Sequence, residues 1–142
     1  MYDIKQVQGE YKTKLISAEF AASLVKSNYR LHFGVGTGTS VYMDRALGER
    51  LKNDTLLRGV EIQTEVAVRN DYMETFKAKQ PVERVRFYSS HFTGMDRRMS
   101  ESGNTWYVPI MFNEEPLYWS LEGNQFDICC IQVAPMDKYG NF

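Results

Sequence analysis

Cysteine is scarce. The chain carries two, Cys129 and Cys130, side by side. Neighbours on a strand point to opposite faces, which argues against a disulfide between them or a metal shared by them. Two buried free thiols are the expectation. Histidine also occurs only twice, as His32 and His91, far apart in the chain. No cluster of the kind zinc needs is legible, and no metal is expected. Charge of neither sign dominates: 17 Lys and Arg stand against 18 Asp and Glu, for a net charge of -1. With no basic stripe, nucleic acid is not an expected partner. No apolar run approaches the roughly 20 residues of a membrane helix, so no membrane partner is expected. The opening Met1-Tyr2-Asp3-Ile4-Lys5-Gln6 has no apolar signal-peptide core, and a cytoplasmic location is expected by default. Internal repeats and low-complexity linkers are missing too.

What remains is enough for one domain of 142 residues, 43% hydrophobic and 13% aromatic. Ser17 has the chemistry of a helix N-cap, with Glu19 in the first turn where the helix dipole favours it. Phe20, Ala21, Leu24 and Val25 follow as an apolar stripe at helical spacing. Residues 29–33 read as a strand running into Gly34-Val35-Gly36-Thr37-Gly38-Thr39-Ser40, then a helix with Met43, Ala46, Leu47 and Leu51 on one face. Val60, Ile62 and Thr64 alternate as a strand. Residues 67–81 are ambiguous. Residues 85–88 form a short strand candidate, and residues 96–102 a short helix stopped by Gly103. Trp106, Val108 and Ile110 alternate as a strand, with Pro109 pointing to an edge or a strand end. Asn113 is placed to cap a helix over 114–121, where Pro116 is tolerated in the first turn. The nearly continuous apolar run of residues 126–134 predicts a strand covered on both faces.

Strands alternating with helices predict an α/β fold, a layered and largely parallel sheet with flanking helices. In such sheets ligands gather at the carboxyl ends of strands, which singles out the loops at residues 34–40, 89–94 and 135–142. The first has glycines that let a backbone approach a ligand, ahead of a helix whose free N–H groups would face an anion. It lacks the glycine spacing of a dinucleotide fingerprint and the Gly-Lys-Ser/Thr of a phosphate loop. A plain tight turn is the competing account. His91, beside Ser90, is either an acid, base or substrate-orienting group or a structural histidine. His32, inside a strand, reads as structural. The segment Asp96-Arg97-Arg98 reads as a solvated helix start rather than a phosphate grip. Glu114 and Glu115 read as first-turn acids, because adjacent helical residues do not face one another. Asp127 is expected near a strand start, solvated or paired, since an unpaired buried charge is costly.

Several blocks resemble one family in order. They are Lys14-Leu15-Ile16-Ser17-Ala18-Glu19-Phe20-Ala21-Ala22, the Thr37-Gly38-Thr39 loop with Met43-Asp44-Arg45-Ala46-Leu47, Ser90-His91-Phe92-Thr93-Gly94-Met95-Asp96-Arg97, and Tyr107-Val108-Pro109-Ile110. The longest is Ile131-Gln132-Val133-Ala134-Pro135-Met136-Asp137-Lys138-Tyr139-Gly140-Asn141-Phe142. Together they resemble the N-terminal domain of the acetyl-CoA hydrolase/transferase family, and within it the butyryl-CoA:acetate and 4-hydroxybutyrate CoA-transferases. Ser40 departs from the proline common in that branch, and residues 64–84 match poorly.

The resemblance implies a CoA-transferase-like domain spanning residues 1–142, without the catalytic C-terminal domain. It implies transfer of CoA between a short-chain acyl-CoA and acetate or a similar acid, through a glutamate thioester. That glutamate matches no residue here, so the chain alone is expected to be inactive. CoA thioesters enter as substrates, with no bound cofactor. Gly36, Thr37, Gly38, Thr39, Ser90, His91, Met136 and Asp137 are the implied cleft-lining, substrate-binding residues. The implied partners are the missing C-terminal half, a short-chain acyl-CoA, a carboxylic acid and further copies of the chain in a homo-oligomer. An acetyl-CoA hydrolase and a stand-alone acyl-CoA- or anion-binding module are the alternatives.

Overall fold

Leu31, Phe33, Val60, Ile62, Val85 and Phe87, two from each of three strands, are buried almost completely. They alternate with polar neighbours, which is what a sheet with one apolar and one polar face requires. A computed structural model describes residues 3–66 and 73–142 and builds that sheet. Its element order is α1 (Ile4–Lys14), α2 (Ala18–Ser23), β1 (Arg30–Val35), α3 (Val41–Asn53), β2 (Val60–Glu65), α4 (Glu74–Lys77), β3 (Val85–Ser89), α5 (Gly94–Ser100), β4 (Thr105–Tyr107), α6 (Glu115–Ser120) and β5 (Ile128–Cys129). The strand order is β4-β3-β2-β1-β5, and every named strand pair is parallel. The expected α/β fold with a parallel sheet is therefore present. The chain steps one way from β1 to β4, and β5 then returns to the far side of β1. The order reverses between β1 and β5, the place where open α/β sheets form their ligand crevice.

The apolar face packs on the helices, with Ala22, Val25, Met43, Leu47, Leu51, Met95 and Met99 buried against it. Ser17 caps α2 as expected, its Oγ accepting from Phe20 N at 3.1 Å. Helix α3 is held by two polar devices. Arg50 donates to the carbonyls of Ala22 and Val25 at 2.6 and 2.8 Å, closing the end of α2. The fully buried Asp44 accepts from Glu74 N, Thr75 N and Thr75 Oγ1 at 2.6, 3.2 and 2.6 Å, fixing α4. Gly48 lets α3 and α4 touch: a Cβ there would stand 2.7 Å from the Glu74 carbonyl carbon.

Several expectations change. Of the expected α2 stripe, Val25 is buried, whereas Phe20 and Leu24 are about half exposed. Helix α2 is only six residues long, too short to turn both toward the sheet. Asp96 is not a solvated helix start. It is buried and closes a capping box with Thr93, accepting from Thr93 N at 2.7 Å, while Arg97 and Arg98 are exposed as expected. Asn113 does not cap α6; the cap position is Glu114, whose side chain makes no capping bond. The apolar run at 126–134 is not a strand covered on both faces. Only Ile128–Cys129 forms the edge strand β5, and Ile131 and Val133 are more than half exposed. The two thiols are free, but Cys129 is exposed and Cys130 only half-buried. Strand β4 ends before Pro109 on the opposite edge, as that proline foretold. Asp127 lies just ahead of β5 and is paired, accepting from Arg30 N at 2.8 Å. Residues 67–72, part of the ambiguous stretch, lie outside the described residues.

Candidate functional site

The polar face of the sheet is built in rows, because parallel strands in register place like faces side by side. Arg30 pairs with Glu61, and Glu61 with Arg86, across β1, β2 and β3. The Glu61 carboxylate takes Arg30 Nε at 3.1 Å and an Arg86 guanidinium nitrogen at 3.3 Å. The next row holds His32, Gln63 and Tyr88, with Trp106 stacked on Tyr88. At the carboxyl rim come Glu65, at the end of β2, and Ser90, just beyond β3. Ser90 Oγ accepts from Gln63 Nε2 at 3.1 Å.

Helix α6 crosses from β4 back to β5 and brings Glu115 over this rim. Four side chains from four parts of the chain meet there. His32 Nδ1 accepts the Gly34 N–H at 3.1 Å. That leaves Nε2 to carry the ring hydrogen and point it at Glu65 Oε1, 3.3 Å away. Glu65 is 1% exposed, and its second oxygen has no hydrogen-bond partner. His91 lies flat on Phe112, ring centroids 4.0 Å apart. Its Nδ1 stands 3.6 Å from Glu115 Oε1, too long for a hydrogen bond. Glu65 Oε2, His91 Nδ1 and Glu115 Oε1 are all buried without a partner. One ligand atom from each of these residues lies within 4.8 Å of the others.

The electrostatics follow from the geometry. Burial, and then the neighbouring Glu65 charge, push the Glu115 carboxyl up to about 7. Burial acts to raise Glu65 as well. The interaction with His32, followed by the nearby Ser90 hydroxyl and Glu115 carboxyl, outweighs it and holds Glu65 below the usual carboxylate range.

The glycine loop lies beside this rim. Gly36–Gly38 form a single 3-10 turn after β1, and a Cβ on Gly36 would come within 3.9 Å of the Val66 carbonyl at the end of β2. Gly34, at φ 81°, has no room for a side chain: a Cβ would sit 2.4 Å from the Gly38 carbonyl oxygen. Thr39 is buried and its Oγ1 donates to Gly36 O at 2.8 Å, while Thr37 is exposed. The segment after β5 closes on the loop through Gln132 N to Gly38 O at 2.8 Å.

Of the residues singled out from sequence, Gly36, Thr37, Gly38, Thr39, Ser90 and His91 therefore fall at the carboxyl rim. Asp137 instead accepts from Tyr139 N and Asn141 N at 2.8 and 3.0 Å within its own exposed turn, and Met136 precedes it. That turn packs on α1, where Tyr11 meets Phe142. His32 lies inside β1 and Glu115 in the first turn of α6, as read from the sequence, and both also enter the rim cluster. Glu65 drew no attention as the last residue of an alternating strand. Its outward parity beside Gln63, at a strand end, was the one available signal.

Cavities also lie elsewhere. One of about 540 Å³ between Phe76, Pro81, Val82 and Asn104 opens at the amino ends of β3 and β4, away from the cluster. An open groove of about 600 Å³ runs between α2 and β5, past Ser40, Cys130 and Ile131.

A parallel α/β sheet with a polar rim at its carboxyl ends defines the class, and comparison with known proteins gives the family. The model of the acetyl-CoA hydrolase/transferase N-terminal domain matches residues 1–142, and the chain belongs to that family. It is 31% identical over 133 residues to the butyryl-CoA:acetate CoA-transferase of Anaerostipes caccae, covering 94% of this chain and 29% of that protein. It is 32% identical over 132 residues to the 4-hydroxybutyrate coenzyme A transferase of Clostridium kluyveri, covering 92% and 29%. The chain thus spans about three-tenths of the length of these curated relatives. The crystal structure of RipA from Yersinia pestis superposes with a TM-score of 0.72 at 23% identity, over 96% of this chain and 32% of that one, which shows the shared fold.

Proposed function

We propose that this chain is the N-terminal domain of an acyl-CoA:carboxylate CoA-transferase that moves CoA between a short-chain acyl-CoA and acetate or a similar acid. The observation that carries the reading is the near-complete alignment of the chain with two CoA-transferases of this one family. The domain supplies one wall of the substrate cleft. Gly36, Thr37, Gly38, Thr39, Ser90 and His91 line that wall with Glu65 and Glu115, and Met136 and Asp137 sit on the segment leading onward. The nucleophilic glutamate belongs to a C-terminal domain outside these 142 residues. CoA thioesters are substrates and not resident cofactors. A cytoplasmic homo-oligomer is part of the same reading.

The test joins the chain to the remaining coding sequence of its gene and assays butyryl-CoA with acetate. Acetyl-CoA formed in step with butyrate, and no turnover by the chain alone, are expected. Absence of a second half encoded beyond Phe142 would sink the reading. Because the family description includes hydrolases, thioester loss is also followed without acetate; loss that ignores the added acid marks a hydrolase. Micromolar acyl-CoA binding by the isolated chain in calorimetry would favour a stand-alone binding module.

A further inference from the structure

The polar face treats its two strand carboxylates differently. Glu61 is neutralised by Arg30 and Arg86 on either side. Glu65, four residues further along β2 on the same face, has His32 as its ion-pair partner and meets no Lys or Arg among the described residues. Its partner His32 spends Nδ1 accepting the Gly34 N–H, so the ring meets Glu65 through Nε2. Glu115 arrives from α6 as a second carboxyl in the same place. Two carboxyls whose oxygens lie within 4.8 Å of each other, with no Lys or Arg paired to either among the described residues, ionise together only at a large penalty. The orphaned oxygens state the remedy: Glu65 Oε2 and Glu115 Oε1 both lack a partner. One proton held between the carboxyls turns an unsatisfied pair into a charge-assisted hydrogen bond, an arrangement known from paired catalytic carboxylates.

We propose that Glu65 and Glu115 share one proton at neutral pH, forming an acid–carboxylate pair at the carboxyl rim of the sheet whose ionisation controls acceptance of an anionic substrate. Every described group facing the pair is consistent with this. From β1, His32 donates to Glu65 and fixes it as the more acidic member. From beyond β3, Ser90 faces Glu65, and His91 lies 3.6 Å from Glu115 with its ring held on Phe112. From α6, Glu115 is the outer and more accessible member, placed to lose the proton first. Loss of that proton leaves two negative charges at the rim. The second part of the proposal rests on the functional reading above: a carboxylic acid entering a cleft walled by this rim meets one more negative charge once the pair has ionised.

The pair is tested without any substrate, by following the glutamate side-chain carboxyls of this chain by ¹³C NMR from pH 4 to 10. One carboxyl titrating near neutrality, felt at a second glutamate and absent in Glu115→Gln, is the expected result. All glutamates titrating below about pH 5 would overturn the proposal. So would a neutral step that survives Glu115→Gln and disappears in His91→Gln, which would place the proton on the imidazole. Binding of one equivalent of Zn²⁺ in place of the neutral-pH step, by the wild type and not by Glu65→Gln, would overturn it in favour of a cation.

In the gene-complete enzyme, KM for acetate is expected to rise several-fold between pH 6 and 8 and to stay level in Glu115→Gln. A wild-type KM level over that range would remove the substrate-control half of the proposal and leave the NMR result standing. Absence of any transfer would count against the functional reading alone.

Discussion

At the scale of the residue, buried acids decide how this domain responds to pH. Glu115 titrates in the fold at about 7, against 4.5 unperturbed. Between those values the folded state holds a proton that the unfolded state has released. The stabilising contribution of this group is thus fully present below about 4.5, and is lost as pH rises toward 7. Thermal melts of the wild type and Glu115→Gln across pH 4 to 8 are expected to show it. The wild type loses stability relative to the variant up to about pH 7, and the difference is constant above. Asp44 is a fully buried acid. Its burial raises its pKa, against the lowering effect of its bonds to Thr75 and Glu74. Truncation to alanine strips Glu74 N, Thr75 N and Thr75 Oγ1 of one shared acceptor. Asp44→Ala is expected to cost about 3 kcal/mol in denaturant unfolding, near the upper end for buried donors left unpaired.

At the scale of the element, close approach matters more than propensity. Alanine is a better helix former than glycine by roughly 1 kcal/mol, so Gly48→Ala in α3 would stabilise a solvated helix. Here the new Cβ would meet the Glu74 carbonyl carbon and oxygen of α4 at 2.7 and 2.8 Å, and backbone yields less readily than a side-chain tip. A net loss of about 1–3 kcal/mol is expected, the range for overpacked cores, with α4 released from α3. Hydrogen exchange at Glu74 and Thr75 would report it. Helix α5 depends on its capping box instead. Thr93→Ala removes the acceptor for Met95 N and Asp96 N and the hydroxyl that donates to Asp96 Oδ2. About 1 kcal/mol of destabilisation is expected, while Thr93→Ser largely preserves stability.

At the scale of the whole molecule, the surface is uneven. Met111, Phe112, Leu117 and Leu121, on and around α6, are each at least half exposed, and α6 itself buries no residue completely. An apolar stretch of this kind is the usual mark of an interaction surface. The chain on its own is expected to self-associate, with sedimentation shifting to larger species as concentration rises. Leu117→Lys with Leu121→Lys is expected to return it to the monomer; unchanged sedimentation of that variant would locate the contact elsewhere.

The parallel α/β sheet, the helix from Val41, the cap at Ser17, the loop at Gly36 to Thr39 and the family itself were legible in the sequence. Alternation, helical spacing, capping chemistry and ordered motifs are local properties of the chain. Burial of the segment around Cys129 and Cys130 was misjudged, because an apolar composition does not say whether a strand is central or lies on an edge. The pairing of Glu65 with Glu115 was not legible either. These residues are separated by two strands and the crossing of α6, and no spacing rule connects them. Parity along β2 placed Glu65 on the polar face, but only the reversal of strand order beside β1 carried α6 across that face. Tertiary structure alone therefore turned an ordinary strand end, a mid-strand histidine and a first-turn acid into one buried cluster.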